Sequence, residues 1–475
     1  MRFIFLSLFL FTSLVYAFPF ASKTMPPLRE RRLITAAEFA FKNKDYAKAY
    51  GLYRILARNN NPFAEYQLGY LSLQGFACLK DPKRAFAWFK KAADQQLPEA
   101  KFALGMMYYE GLGVAQNLSL AVSLIQEAAT KSEQSPLAQA AYMLGYLFSV
   151  GYGLPRDQNA ALPWYIQAAA LGLPQAQYNL GLLYYQAHQG SSELKQDYSK
   201  AFKLFLQAAN QHFTKAEFMV ALLYSLGQGI AHDKNRAAYW YAEAAAEGLD
   251  LAQYNLGLMY YSGRDLPSNP AFAFQLIAKA AESGLPLAQA CLGYFRMNGI
   301  GCLANPSLAV RWYQKAAQQG LSEAQFALAY YYYKGKGVEQ DSRQALKWFY
   351  EAAKAGLANA QYMLGLFYQQ GLAIEIDQRM AAYWYNQAAL QGMENAELML
   401  GLMYAEGQGV PRNKQEAYAW LKLAAASTNP ALQAALVPMR EKVATSMGAA
   451  EILLAEKRSQ QINQQITANR LALSS

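Results

Sequence analysis

Cysteine and histidine are nearly absent from this 475-residue sequence, with three of each. So few ligands count against a metal enzyme, and so few thiols count against a disulfide scaffold. Charged residues are sparse too, at 16% against 54% apolar, which excludes a disordered chain. With 17 Pro and 32 Gly the chain is not collagen-like. Beyond the first residues no stretch supplies 18 uncharged apolar positions, so a soluble mature chain without a transmembrane segment is expected.

What is present in excess is positive charge and tyrosine: a net charge of +10 and 35 Tyr. A basic balance raises a nucleic-acid or acidic-membrane reading, so its location matters. Nine basic residues against three acidic ones fall within residues 22–58, a net +6. Without Arg2 the rest of the chain carries +3, too little for a nucleic-acid groove. A weak contact of residues 22–58 with an acidic surface stays open beside an ordinary solvated face. The first residues read as an address. Met1-Arg2 is a short basic start, Phe3 to Val15 an apolar run, and Val15-Tyr16-Ala17 a small-residue cleavage site. A secretory signal peptide at residues 1–17 and a periplasmic or secreted protein are the expectation.

The body repeats itself. A Leu-Gly pair recurs from Leu68-Gly69 to Leu400-Gly401, with Ala221 and Ala329 in the Gly slot of two copies. The nine steps comprise seven of 36 residues and two of 40. An Ala-Ala pair closes each unit, from Ala92-Ala93 to Ala424-Ala425. Between the landmarks stands Asp or Asn with Ala four residues later, as in Asp81/Ala85 and Asn413/Ala417, in all ten copies.

Each slot has a physical reading. Asp or Asn caps a second helix, and Pro82, Pro270 and Pro306 follow at the first helical position. Three residues past the Ala comes a large apolar residue, and all seven Trp occupy this slot, where they are expected to fill space between helix pairs. Gly172, Gly248, Gly284, Gly320, Gly356 and Gly392 end the second helices. The first helix carries Ala, Leu-Gly and Tyr on one face, as Ala176, Leu180, Gly181 and Tyr184, and stops at text such as Gly111-Leu112-Gly113.

The pattern A-x-x-x-L-G-x-x-Y, then G-x-G, D/N-x-x-x-A-x-x-W and A-A-x-x-G, resembles the Sel1-like repeat family, helical-hairpin relatives of the tetratricopeptide repeats. The resemblance covers residues 61–428 as ten repeats and implies an all-α, right-handed α-solenoid of stacked antiparallel helix pairs. Residues 18–60 read as a basic segment and capping hairpin. Residues 429–475 read as C-terminal capping helices, broken near Met447-Gly448, with a frayed tail. Departures are local: Arg296 in a Tyr slot, and weak G-x-G text near Gly75, Gly190, Gly263 and Gly371.

Chemistry finds little support. The G-x-G loops lack the continuation of a dinucleotide or Walker motif, so they read as turns needing special backbone angles. Ser192-x-x-Lys195 matches the S-x-x-K of penicillin-binding enzymes, but no S-D-N or K-T-G follows. Some cysteine-rich relatives are β-lactamases, which keeps a cell-wall hydrolase as the alternative; this chain lacks their repeated Cys pairs. His188, His212 and His232 have no zinc-binding spacing, and His212 replaces a C-cap Gly. Cys78 and Cys302 share one loop slot and read as small hydrophobes; Cys291 and Cys302 share a repeat, leaving a disulfide open. No catalytic residue, metal or cofactor is assigned.

Tyrosine pairs carry the binding expectation. Neighbours on a helix point about 100° apart. If Tyr108, Tyr184, Tyr260 and Tyr332 pack in the seam, Tyr109, Tyr185, Tyr261 and Tyr333 turn to the open side. Met106, Tyr146, Tyr294 and Tyr330 stand one turn earlier. Resemblance to tetratricopeptide arrays implies that these side chains line a concave groove. The expected function is an exported scaffold holding a protein or peptide there, as a bacterial envelope or host-interaction adaptor. Direct binding of peptidoglycan or anionic lipid is a further alternative.

Overall fold

A computed structural model of the chain describes residues 28–130, 137–187, 195–264, 266–426 and 430–474. The expected leader, His188 and Ser192 lie outside the described residues. Among the described residues every regular element is an α-helix, 24 in all. A hairpin, Leu28–Lys42 and Tyr46–Arg58, precedes ten helix pairs, from Pro62–Gln74 with Pro82–Asp94 to Glu394–Glu406 with Lys414–Ala424. Pro430–Ala444 and Ala449–Ser474 follow. The chain forms two compact units, residues 1–243 and 244–475, each stacked from the same hairpins.

One residue closes each hairpin and starts its second helix. At all ten repeats the backbone N–H of the Asp or Asn donates back to the first helix, Asp81 to Ser72 O at 2.9 Å and Asp341 to Tyr332 O at 3.0 Å. Its side chain accepts from the new helix, Asp81 Oδ1 from Arg84 N–H at 3.0 Å and Asn269 Oδ1 from Phe272 N–H at 3.0 Å. One residue thus serves both ends, the backbone N–H closing the hairpin and the side-chain oxygen capping the new helix, and Asp or Asn fills the slot in all ten copies.

The Leu-Gly glycine exists to admit a second-helix side chain. A Cβ on Gly69 would stand 2.7 Å from the Phe89 ring, and one on Gly181 2.7 Å from the Phe205 ring. These rings, one residue past the Trp slot, are the fully enclosed ones, as are Phe349 and Tyr385. Trp itself lies a further step around the helix. Trp88, Trp164, Trp240, Trp312 and Trp348 are half-buried, and only Trp384 and Trp420 are buried. The space inside each hairpin is therefore filled by the neighbour of Trp, and Trp covers its edge.

The G-x-G loops are steric devices. Gly111, at φ +70°, sends its N–H to Met107 O and ends the first helix in the left-handed region. Gly113, also at φ +70°, approaches the preceding repeat so closely that a Cβ would lie 2.5 Å from the Pro82 carbonyl. Two independent demands on one residue explain the second glycine without any ligand. In the weaker copies Ala77 and Ala373 hold φ of +62° and +60° instead.

The two ends differ from the repeats. The first hairpin turns within residues 43–45 and has no G-x-G. The last helix runs from Ala449 to Ser474. Ile462 and Ile466 enter the core that holds Ala419 and Trp420, while Lys422–Glu456 (3.0 Å) and Arg458–Glu416 (2.6 Å) pair across the helices. Near its end Asn469 Nδ2 donates to Leu390 O at 3.1 Å.

Candidate functional site

Each first helix presents two candidate positions, one and four residues past its Leu-Gly glycine. The fourth-position tyrosines do not turn fully outward. Tyr109 is buried, 4% exposed, beneath Tyr152 of the following repeat, with ring centroids 5.3 Å apart. Burial, with Tyr146 and Tyr152 beside it, pushes its hydroxyl up to about 12. The expected groove exposure of Tyr109 is thus overturned, because the next loop supplies an aromatic lid. Tyr185, Tyr261 and Tyr333 are half-buried. Tyr185 packs edge-on to Tyr198 at 5.3 Å, Tyr261 on Phe295 at 4.9 Å and Tyr333 on Phe367 at 5.6 Å. Tyr261 and Tyr333 therefore seal one repeat against the next.

First-position residues differ: Met106, expected on the open side, is buried at 2%. Tyr294 and Tyr330, 36 residues apart in the same slot, are 45% and 42% exposed. Tyr146 is half-buried near Tyr109, Tyr142 and Tyr165. Two groups result, each inside one unit. In residues 1–243 Tyr109 and Tyr146 come together, while Tyr185 stands apart with Tyr198. In residues 244–475 the Tyr261 hydroxyl is hydrogen-bonded to Tyr294, which raises its pKa ahead of desolvation. Tyr330 and Tyr333 continue that surface, with Lys334 Nζ 5.9 Å and 4.7 Å from their ring centres. Such a face offers aromatic area at low side-chain entropy cost, edged by hydroxyl donors and acceptors.

A second constellation escapes the reading of motifs. The residue after the first-helix Ala is Glu or Gln in eight repeats, Lys in one and Ala in one. Apart from Ala141 these polar side chains are all buried. Gln289, Gln325 and Gln361 donate from Nε2 to the carbonyls of Ala281, Ala317 and Ala353 at 3.2–3.3 Å, the unsatisfied end of the preceding second helix. In two of them the Oε1 accepts from the end of the second helix of the same repeat, Gln289 from Gln319 and Gln361 from Gln391, both at 2.8 Å. A polar ladder thus runs through the seams. Lys101 joins it through Glu127 (2.8 Å) and Gln96 (2.6 Å). The 36-residue recurrence of Ala-Gln or Ala-Glu was the available signal.

The remaining candidates have structural places. Arg296, in a Tyr slot, lays its guanidinium 4.6 Å from the Phe274 ring centre, as Tyr108 and Tyr224 pack on Phe86 and Phe202. His212 sits at φ +59°, where other repeats have glycine; His232 is exposed in a loop. Among the described residues all three cysteines are free thiols, and no three His, Cys, Asp or Glu gather to hold a metal. Cys78 and Cys302 act alike, each Sγ reaching a first-helix carbonyl, Leu71 O at 3.9 Å and Phe295 O at 3.8 Å. Burial pushes the Cys291 thiol up to about 12. No described helix is long and apolar enough to cross a membrane.

Comparison with known proteins places this geometry. The Sel1 repeat family model matches eleven segments, residues 41–61 and then ten from 62–97 to 395–429. The eleventh match beyond the ten expected repeats is the second helix of the N-terminal hairpin. A solved protective antigen of uropathogenic Escherichia coli, displaying an SLR fold, is 29% identical with a TM-score of 0.58, covering 89% of this chain and 96% of its own. A Sel1 repeat protein from Oxalobacter formigenes is 31% identical with a TM-score of 0.52, covering 67% and 89%. The fission yeast chitin synthase regulatory factor 3 is 31% identical over 39% of this chain. This chain spans only 20% to 44% of the length of the curated relatives it matches. Paired helices, loop geometry and eleven matched segments together make the chain a member of the Sel1 repeat family, built of stacked helical hairpins.

Proposed function

We propose that the chain is a non-catalytic adaptor that holds a protein or peptide on the tyrosine face of its first helices. The carrying observation is the pair Tyr294 and Tyr330, large rings left nearly half exposed in equivalent slots of adjacent repeats. The fold does not need them there: Leu258 and Leu366 fill the same slot in the flanking repeats. Tyr261 and Tyr333 extend the face, and the hydrogen bond from Tyr261 holds the Tyr294 ring in place. Rings already fixed by packing lose little entropy on binding.

The adaptor works outside the cytoplasm, in the periplasm or beyond, on the strength of the apolar leader at Phe3–Val15 and the Val15-Tyr16-Ala17 site. Similarity to an antigen of uropathogenic Escherichia coli and to regulators of chitin synthases favours an envelope or host-interaction role. Affinity capture from envelope and host lysates tests the reading. The Tyr294→Ala/Tyr330→Ala variant should retain at most a tenth of the captured partner, while Tyr239→Ala/Tyr383→Ala on the second helices retains it. Equal capture by all three forms overturns the tyrosine face. Intact-mass measurement of the exported protein should show cleavage after Ala17; an uncut chain in the cytoplasm overturns the location.

A further inference from the structure

In every internal repeat the first helix lays one stripe on the preceding hairpin, and that stripe is apolar. Ala64, Leu68 and Leu71 are completely buried, as are Ala324 and Leu328. The first hairpin has the same register: Ala37 is buried like the Leu-Gly glycines, and Tyr53, four residues past Ala49, is enclosed like Phe89 four past Ala85. Its matching stripe is Arg32, Ala36 and Phe39, and all three are exposed, Phe39 at 69%. Leu28, one turn earlier, is 68% exposed. A position that is core elsewhere is thus an open aromatic side chain at the start of the stack.

Charge shows what this face suits. Arg29, Arg32 and Lys42 are exposed along the same helix, and Lys48, Arg54 and Arg58 along its partner. The two acids of the first helix offset its four cations only in part. Glu30 Oε1 accepts from Asn61 Nδ2 at 2.8 Å, and Glu38 is half-buried, its pKa raised by desolvation against the pull of Lys42. From Arg29 to Lys42 the cations span about 20 Å of helix. They are spread over both helices rather than aimed at one point, which fits many headgroups better than one acidic side chain. A second copy stacking end to end is disfavoured, because residues 430–474 are themselves basic, with five Lys and Arg against three Glu.

We propose that the outer face of the N-terminal hairpin docks on an anionic bilayer, with Phe39 and Leu28 entering the headgroup boundary and Arg29, Arg32 and Lys42 meeting lipid phosphates. Basic residues flanking a few inserted apolar side chains are the general chemistry of interfacial helices. The docking residues belong to the first hairpin alone, and none of them is one of the tyrosine-face positions.

Vesicle sedimentation of the full chain tests this, with phosphatidylglycerol/phosphatidylcholine and pure phosphatidylcholine vesicles. The partition coefficient on anionic vesicles should fall at least tenfold in Arg29→Gln/Arg32→Gln/Lys42→Gln and about threefold in Phe39→Ser. It should also fall steeply between 50 and roughly 300 mM salt as the charges are screened. The Lys336→Gln/Arg343→Gln/Lys354→Gln variant, which removes three exposed cations elsewhere, should bind like the parent. All substituted side chains are exposed, so unchanged melting serves as the folding control. Equal binding to neutral vesicles, equal loss in the distant triple variant, or full competition by polyglutamate at matched charge each overturns the proposal; the last points to an acidic protein instead. None of these outcomes bears on capture by Tyr294 and Tyr330.

Discussion

Arg470 reaches back 78 residues to the turn that follows the helix Gln378–Ala389, donating from Nη2 to the carbonyl of Gly392 at 3.0 Å. Its Nε reaches Gln391 O at 3.2 Å. In the seams upstream the equivalent carbonyls are served by the next repeat, Gly284 O by Gln319 at 3.1 Å and Gly356 O by Gln391 at 2.8 Å. The last helix thus supplies with one arginine what a further repeat would supply with one glutamine. A solenoid end needs such a closure because its last polar and apolar groups have no neighbour.

Replacing Arg470 by Ala should therefore loosen the last helix rather than the whole stack. Two hydrogen bonds at an exposed site contribute about 1–2 kcal/mol together. Amide exchange within residues 449–474 should accelerate about tenfold, with the helix Pro174–Gln186 unchanged. Trp420, 2% exposed in the core shared with Ile462 and Ile466, should redden in emission. Unaltered exchange would show that the two isoleucines hold the helix alone.

Gly181 tests the packing inside a hairpin. An added Cβ meets the Phe205 ring at 2.7 Å, and that ring is fully enclosed. Gly181→Ala should destabilise by about 1–3 kcal/mol although Ala is the better helix former. Combining it with Phe205→Leu should recover part of the loss, a coupling that a double-mutant cycle reads directly. Additive effects would mean the glycine serves something other than this ring.

The hairpins are legible in the sequence because each of their signals answers a local demand. Asp81 caps the helix it precedes, and Gly172 takes a backbone angle that its own residue must tolerate. Exposure of the tyrosines is not local. Tyr109 and Tyr261 occupy the same slot, yet Tyr152 covers the first and a Phe295–Tyr294 pair flanks the second. What decides is a residue 33 to 43 positions later, which periodicity does not weigh. The glutamine ladder is written plainly as Ala-Gln, but a polar residue beside a core alanine looks like a surface position until the partner carbonyl is seen.

The left-handed residues after the second helices give a test that involves backbone alone. Gly356 has φ +96° and nothing within 4 Å of where a Cβ would stand, so Gly356→Ala changes conformational preference without a clash. It should cost about 1–2 kcal/mol. The converse substitutions, His212→Gly at φ +59° and Gln96→Gly at φ +67°, should stabilise by about 1 kcal/mol each. The His212 Nδ1 contact with Glu217, 4.0 Å on an exposed ring, subtracts little. Melting temperatures of the three variants decide it; a drop for His212→Gly would mean the imidazole outweighs the strain.

Glu397 carries the pH dependence of the C-terminal repeats. It occupies the ladder slot that is Gln in five repeats, 5% exposed, and burial pushes its carboxyl from 4.5 to about 7, with Glu394 adding to the rise and Arg470 opposing it. Between these values the folded chain holds a proton that the unfolded chain has released. Stability is therefore complete below about pH 4.5 and falls as pH rises through 7, by on the order of 2–3 kcal/mol for this group. Glu397→Gln removes the titration and restores an amide able to donate to Ala389 O, as Gln361 does to Ala353 O. At pH 8 the variant should be more stable than the parent by about 1 kcal/mol, the loss of attraction to Arg470 offsetting part of the gain. At pH 4 the two should converge. Melting curves across pH 4–8 measure the difference, and a gap that widens toward acid would reverse the assignment, since it would mean the carboxylate is stabilised in the fold.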